Sequence, residues 1–186
     1  YFNQSKRSFE NNRTNVINLE GYFRIVYNNF IHNGVGKYPD DRLKKLNLEI
    51  LEQKKNGSYI ILSEPSDAMK NVYNVPTWTE DTIKLVKRYT DRKIILHNKF
   101  SKEPLKILLK DAWAFISLQS TAGFMAMLNG VPSYFTDASL KNISKIEDIE
   151  RPVIDYNIFN SLAYGQWTLK EMESGEAWET ISKHKV

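Results

Sequence analysis

The chain has 186 residues, 41% of them hydrophobic and 12% aromatic, and a formal charge of +4. That content supports a packed core and excludes a disordered chain, and the length suits one large domain or a domain with a substantial appendage. With no cysteine, disulfides, zinc–thiolate sites and thiol nucleophiles are excluded, and a reducing, cytoplasmic location is expected.

No apolar run approaches the ~20 residues of a membrane span, and no signal peptide is visible. The positive charge invites a nucleic-acid partner, but lysine outnumbers arginine 19 to 7, and asparagine and isoleucine stand at 17 each. AT-rich coding alone produces that bias. Lysines also alternate with acids over Lys141 to Glu150 and Lys170 to Glu179, which reads as a solvated surface.

Residues 1 to 15 are polar and basic and read as loop. Val16 to Val26 carries two apolar patches around Gly21, consistent with strand, turn, strand. An Asn/Gly-rich loop follows from Asn28 to Asp41, with His32 and the run GVGK, which lacks the full P-loop spacing. Asp41 to Lys55 has the periodicity of an amphipathic helix, with Leu43, Leu46, Ile50 and Leu51 on one side.

Strands and helices then alternate. YIIL at Tyr59 to Leu62 reads as a buried strand, and Ser63 to Trp78 as a long loop. Thr79 to Tyr89 reads as a helix, with Thr77 and Glu80 at capping-box spacing. KIIL at Lys93 to Leu96 is a second strand, His97 to Lys102 a polar turn, and Glu103 to Lys110 a short helix with Pro104 early. Trp113 to Ile116 is a third strand. A polar break (Ser117, Gln119, Ser120, Thr121) leads through Gly123 into a helix that Gly130 and Pro132 terminate, and Val131 to Phe135 is a fourth strand. Farther on, Ile154 to Tyr164 reads as helix, Thr168 and Glu171 have capping-box spacing, and Ala177 to His184 reads as a last helical turn. Trp167 and Trp178 are expected to pack these carboxyl-terminal helices.

The alternation predicts an α/β fold: a mainly parallel sheet with helices on both faces, plus carboxyl-terminal helices. The organisation expected is a reduced amino-terminal segment over 1–58, a core over 59–137 and a helical extension over 138–186. Ligands of such sheets bind at the carboxyl ends of the strands. Three polar turns converge there: Ser63 to Ser66, His97 to Lys99, and Gln119 to Gly123. At the last, Ser120, Thr121 and Gly123 read either as an ordinary helix start with close packing or as a phosphate cradle. His97 and Lys99 read as a surface turn or as phosphate contacts, and Glu64 or Asp67 as acidic groups at the cleft. The three histidines are too dispersed for a metal site. Ser120 lacks the G-x-S-x-G elbow of a hydrolase.

The runs YIILSEPS, DRKIILHNKF and DAWAFISLQSTAGFMAMLNGVPSYF, in that order, resemble the nucleotide-sugar-binding half of a GT-B-type glycosyltransferase, including the capsule-polysaccharide transferases. LAYGQWTLKEMESGEAW resembles a tail that accompanies this module in small phage- or bacterium-encoded glycosyltransferases. The resemblance implies a Rossmann-like donor domain in which Ser63, Ser66, His97, Lys99, Gln119, Ser120, Thr121 and Gly123 hold a nucleotide sugar. Family members often carry a glutamate within the helix after the Ser-Thr-Ala-Gly turn, and here Met125 and Ala126 stand there. The implied reaction transfers the sugar to a hydroxyl of a glycan or other acceptor, with no obligatory metal or other cofactor. His32, Glu20 or Asp40 would be the general base on the amino-terminal side. A non-catalytic nucleotide- or glycan-binding module and a sugar-nucleotide epimerase are the alternatives.

Overall fold

The structure, a computed structural model, describes residues 21–25, 37–140 and 143–183. Glu20, His32, the GVGK run up to Gly36, the polar amino-terminal stretch and His184 lie outside the described residues. In chain order the elements are β1 (Phe23–Arg24), α1 (Asp41–Leu46), β2 (Tyr59–Ser63), α2 (Asp67–Val72), α3 (Trp78–Val86), β3 (Lys93–His97) and α4 (Leu105–Leu108). They continue with β4 (Ala112–Ser117), α5 (Thr121–Leu128), β5 (Ser133–Phe135), α6 (Ile158–Ala163), β6 (Gln166–Trp167), α7 (Leu169–Glu173) and α8 (Glu176–Lys183). The described residues divide into two compact units, a contiguous one within 49–155 and one assembled from those within 1–48 and 156–186.

The contiguous unit is α/β. Its four strands run parallel in the order β3-β2-β4-β5. Strands β2 and β4 are buried on both faces, which is why they read as unbroken apolar runs. Ile60, Leu62, Ala114 and Ile116 pack with Trp78 and Val86 of α3 and with Ile146 and Ile149. On the opposite face Ile61 and Phe115 pack with Leu108, Leu109 and with Ala126 of α5. Helices therefore cover both sides of the sheet. Each of the leucines, isoleucines and Phe115 contributes about 1.5–3 kcal/mol by leaving water. At the edge, β3 exposes Lys93 and Leu96.

Helix α5 ends as its sequence indicates. Gly130 takes a left-handed φ of 73°, and a β-carbon there would stand 2.2 Å from the Glu52 carbonyl oxygen. Glycine is thus required twice over, by backbone conformation and by close approach. The approaching segment is tied on by Leu51 N–H donating to Leu128 O and Lys54 N–H to Gly130 O.

Several expected boundaries shift. Helix α1 stops at Leu46, because Asn47 turns left-handed (φ 46°) and its N–H donates to Lys44 O. The expected loop from 63 to 78 contains α2, started by Ser66, whose hydroxyl accepts from the Met69 N–H. Thr77 precedes α3, but its hydroxyl donates to Asp81 at 2.6 Å in place of a capping box with Glu80. The helix expected from Glu103 is α4 alone, followed by a 3₁₀ turn over Leu109–Asp111. The helix expected from Ile154 begins at Ile158.

In the other unit β1 pairs antiparallel with β6. The Thr168–Glu171 capping box forms as expected and starts α7. Trp167 is fully buried with Ala177 and Ile181. Trp178, expected to pack, is 66% exposed. Ala177 and Ile181, four residues apart, share the inner face of α8, and the adjacent Trp178 is rotated about 100° away from it. At the centre of this unit the buried Arg42 donates to Ala163 O, Gln166 O and both carboxylate oxygens of Glu171.

Candidate functional site

The site is built at the carboxyl ends of β2, β3 and β4. The sequence passes from β2 to β3 on one side and then to β4 on the other side of β2. A crevice at such a reversal of strand order is where open parallel sheets bind ligands. Ser63 is in register with His97 on one neighbour and with Ser117 on the other. The preceding rung with the same alternation is Ile95, Ile61 and Phe115, on the face that carries α5. The last rung of an apolar face is therefore polar.

Beyond this rung lies a cavity of about 310 Å³. Its polar lining is Ser63, Glu64, Ser66, His97, Asn98, Lys99, Ser117, Gln119 and Ser120, and Pro65, Met69, Leu105, Leu118 and Ala122 complete it. All three turns singled out in the sequence contribute. Six of the expected binding residues (Ser63, Ser66, His97, Lys99, Gln119, Ser120) line the cavity, and Thr121 and Gly123 do not. Gly123 instead faces Phe135: a β-carbon on it would lie 2.7 Å from that ring, so glycine here lets α5 sit close to the sheet. Asp40 stands exposed before α1 in the other unit, paired with Lys44 at 2.9 Å.

One wall of the cavity is the start of α5. Ser120 is extended, and its hydroxyl accepts from the Ala122 N–H at 3.2 Å, which starts the helix. The helix end adds partial positive charge. Ser117 is 1% exposed, and its hydroxyl has no hydrogen-bond partner among the described residues. It lies 3.5 Å from where a β-carbon of Gly123 would be, beneath the first turn of α5. A buried hydroxyl without a partner costs free energy unless something from outside the chain meets it.

The other side chains are held more firmly. Gln119 accepts from Tyr73 OH at 2.7 Å, and its amide donates to Asp137 and Ser139 at 3.2 Å each. Asn98 closes its own turn: its side-chain oxygen accepts from the Phe100 N–H, and its N–H donates to Ser101 Oγ. Lys99 is exposed, its Nζ 4.8 Å from the centre of the Phe100 ring. Glu64 accepts from Lys70, Thr79 and Asn98. The Lys70 ammonium holds the Glu64 carboxyl below the usual carboxylate range; partial burial opposes this, and Thr79 and Asn98 reinforce it.

Ser117 opens the polar break seen in the sequence but is absent from the expected ligand contacts, and the structure makes it the last residue of β4. The signal that identifies it is the rung it shares with Ser63, which needs the strand register. Among the described residues, no group of three or more histidines and carboxylates could hold a metal, and no helix is long and apolar enough to cross a membrane. No protein-family model, curated protein or solved structure matches the chain.

Proposed function

We propose that residues 49–155 form a Rossmann-like unit equivalent to the nucleotide-sugar-binding half of a GT-B-type glycosyltransferase. In this reading the protein transfers a sugar from a nucleotide donor to an acceptor hydroxyl. The observation that carries it is the unpartnered Ser117 hydroxyl under the start of α5, at the reversal of strand order. Donor phosphates would be met by Ser117, Ser120 and the helix end, with His97 and Lys99 on the facing turn. As the sugar departs, negative charge builds on the leaving phosphate, and fixed donors aimed there lower the barrier. The residues at this wall contribute orientation and charge stabilisation.

A second reading, a non-catalytic nucleotide- or glycan-binding module, is favoured by α5 itself, which carries no acidic residue and exposes Met125. A thermal-shift screen of UDP-, GDP-, CMP- and ADP-sugars, on wild type and a Ser117→Ala/Ser120→Ala variant, tests both. Stabilisation of the wild type that is lost in the variant supports donor binding, and the absence of any shift overturns it. Binding without hydrolysis or transfer of the sugar supports the second reading.

A further inference from the structure

We infer that the cavity takes a phosphorylated ligand bearing a vicinal diol, and that Glu64 accepts hydrogen bonds from the hydroxyls of that diol. This rests on the proposed reading of the α5 wall as a phosphate site and concerns the opposite wall. Glu64 follows Ser63, and its N–H donates to His97 O at 2.9 Å, so strand pairing extends one residue past the polar rung. Alternation turns its side chain to the other face of the sheet, towards α2 and α3. There Lys70 Nζ and Thr79 Oγ1 each donate to Oε1 at 3.0 Å. Among the described residues Oε2 meets only Asn98 Nδ2, at 3.4 Å. A carboxylate has about four lone-pair sites, so accepting capacity remains on a residue that lines the cavity.

A bare carboxylate beside a phosphate site would repel the ligand. Here Lys70 pairs with Glu64, the two side chains being 16% and 26% exposed. The wall therefore offers an acceptor without net negative charge. The Ser117 hydroxyl without a partner among the described residues on one side and an unfilled acceptor on the other select a ligand that has both kinds of group. Phosphate alone satisfies only the first. Adjacent hydroxyls on a sugar satisfy the second, and both a ribose phosphate and a hexose phosphate present them.

The test is an NMR titration of the full chain with inorganic phosphate, ribose 5-phosphate and glucose 1-phosphate, repeated on Glu64→Gln and Glu64→Asp. The wild type is expected to bind at least one sugar phosphate about tenfold more tightly than inorganic phosphate, the worth of a hydrogen bond to a charged group. Both variants are expected to keep their affinity for inorganic phosphate and to lose that gain. Which sugar phosphate shows the gain distinguishes the ribose from the transferred sugar. Equal binding of phosphate and sugar phosphates by the wild type, or a gain that survives both substitutions, overturns the role of Glu64 and leaves the phosphate site standing. Failure of all three ligands to bind overturns the phosphate site and the inference with it. Glu64→Asp keeps a charge opposite Lys70, so it carries the test if Glu64→Gln does not fold.

Discussion

The guanidinium of Arg42 lies 3.7 Å from the centre of the Trp167 ring, and the same group is bonded to both carboxylate oxygens of Glu171. Arg42 is 6% exposed, so a charge has been taken out of water and fully compensated. Arg42→Met strands the Glu171 carboxylate and two carbonyl groups, and is expected to cost about 3 kcal/mol, read as a lower urea midpoint. Arg42→Lys keeps the charge but not the planar fork or the stacking, and is expected to cost about 1–2 kcal/mol.

Gly123 and Phe135 set how closely α5 approaches the sheet. A methyl group at 123 would meet the Phe135 ring at 2.7 Å, and that ring is stacked on Phe124 with centres 4.8 Å apart. Gly123→Ala is expected to destabilise by about 1–3 kcal/mol despite the better helix propensity of alanine. Adding Phe135→Leu makes room for the methyl, and the double variant is expected to be more stable than the sum of the single effects. A double-mutant cycle by chemical denaturation reads this directly.

Ser117 separates stability from binding. Its buried hydroxyl has no partner among the described residues, so Ser117→Ala removes a desolvated polar group and loses no bond among them. The melting temperature is expected to stay the same or rise. Affinity for inorganic phosphate is expected to fall by about fivefold to tenfold. A fall in both quantities would mean that the hydroxyl supports the fold.

Acid should loosen both units. Burial by itself would raise the Glu171 carboxyl, but the bonds from Arg42 and from Thr168 outweigh it and leave its pKa below the usual value. Glu64 is lowered in the same direction by Lys70. An unfolded glutamate titrates near ~4.3. A depressed folded pKa therefore gives stability that is complete above that value and is lost as pH falls through the folded pKa. Thermal unfolding from pH 7 down to about pH 3 is expected to show a decline beginning below about pH 5. Glu171→Gln is expected to start lower at pH 7 and to decline less steeply.

The parallel sheet was legible because β2 and β4 are buried on both faces and so leave short unbroken apolar runs bounded by polar turns. The helix α2 was not legible for the opposite reason. None of its residues is buried, and its six residues are too few for the spacing of Ala68, Met69 and Val72 to mark a helix, so only the Ser66 cap announces it. Amphipathic spacing from Asp41 to Lys55 suggested one helix, but Asn47 accepts a left-handed turn that periodicity does not register. Of the candidate site, the turn residues were visible as polar breaks at strand ends. The burial of Ser117 beside Ser63 and the pairing of Glu64 with Lys70 depend on which strands are neighbours and which face alternation selects, and those are properties of the sheet.

The second unit is made from both ends of the described chain, and this has a kinetic consequence. Arg42 meets Glu171 129 residues later, and β1 finds its partner only in β6. During synthesis the whole of 49–155 emerges before those contacts can form. The contiguous unit has every strand of its sheet in hand by Phe135 and is expected to be structured first. Its closure then holds the two ends of the segment it spans at a fixed separation, which lowers the entropy lost when β1 and β6 pair. Refolding should accordingly show two phases, the slower reported by burial of Trp167, and Arg42→Met should alter that slower phase alone.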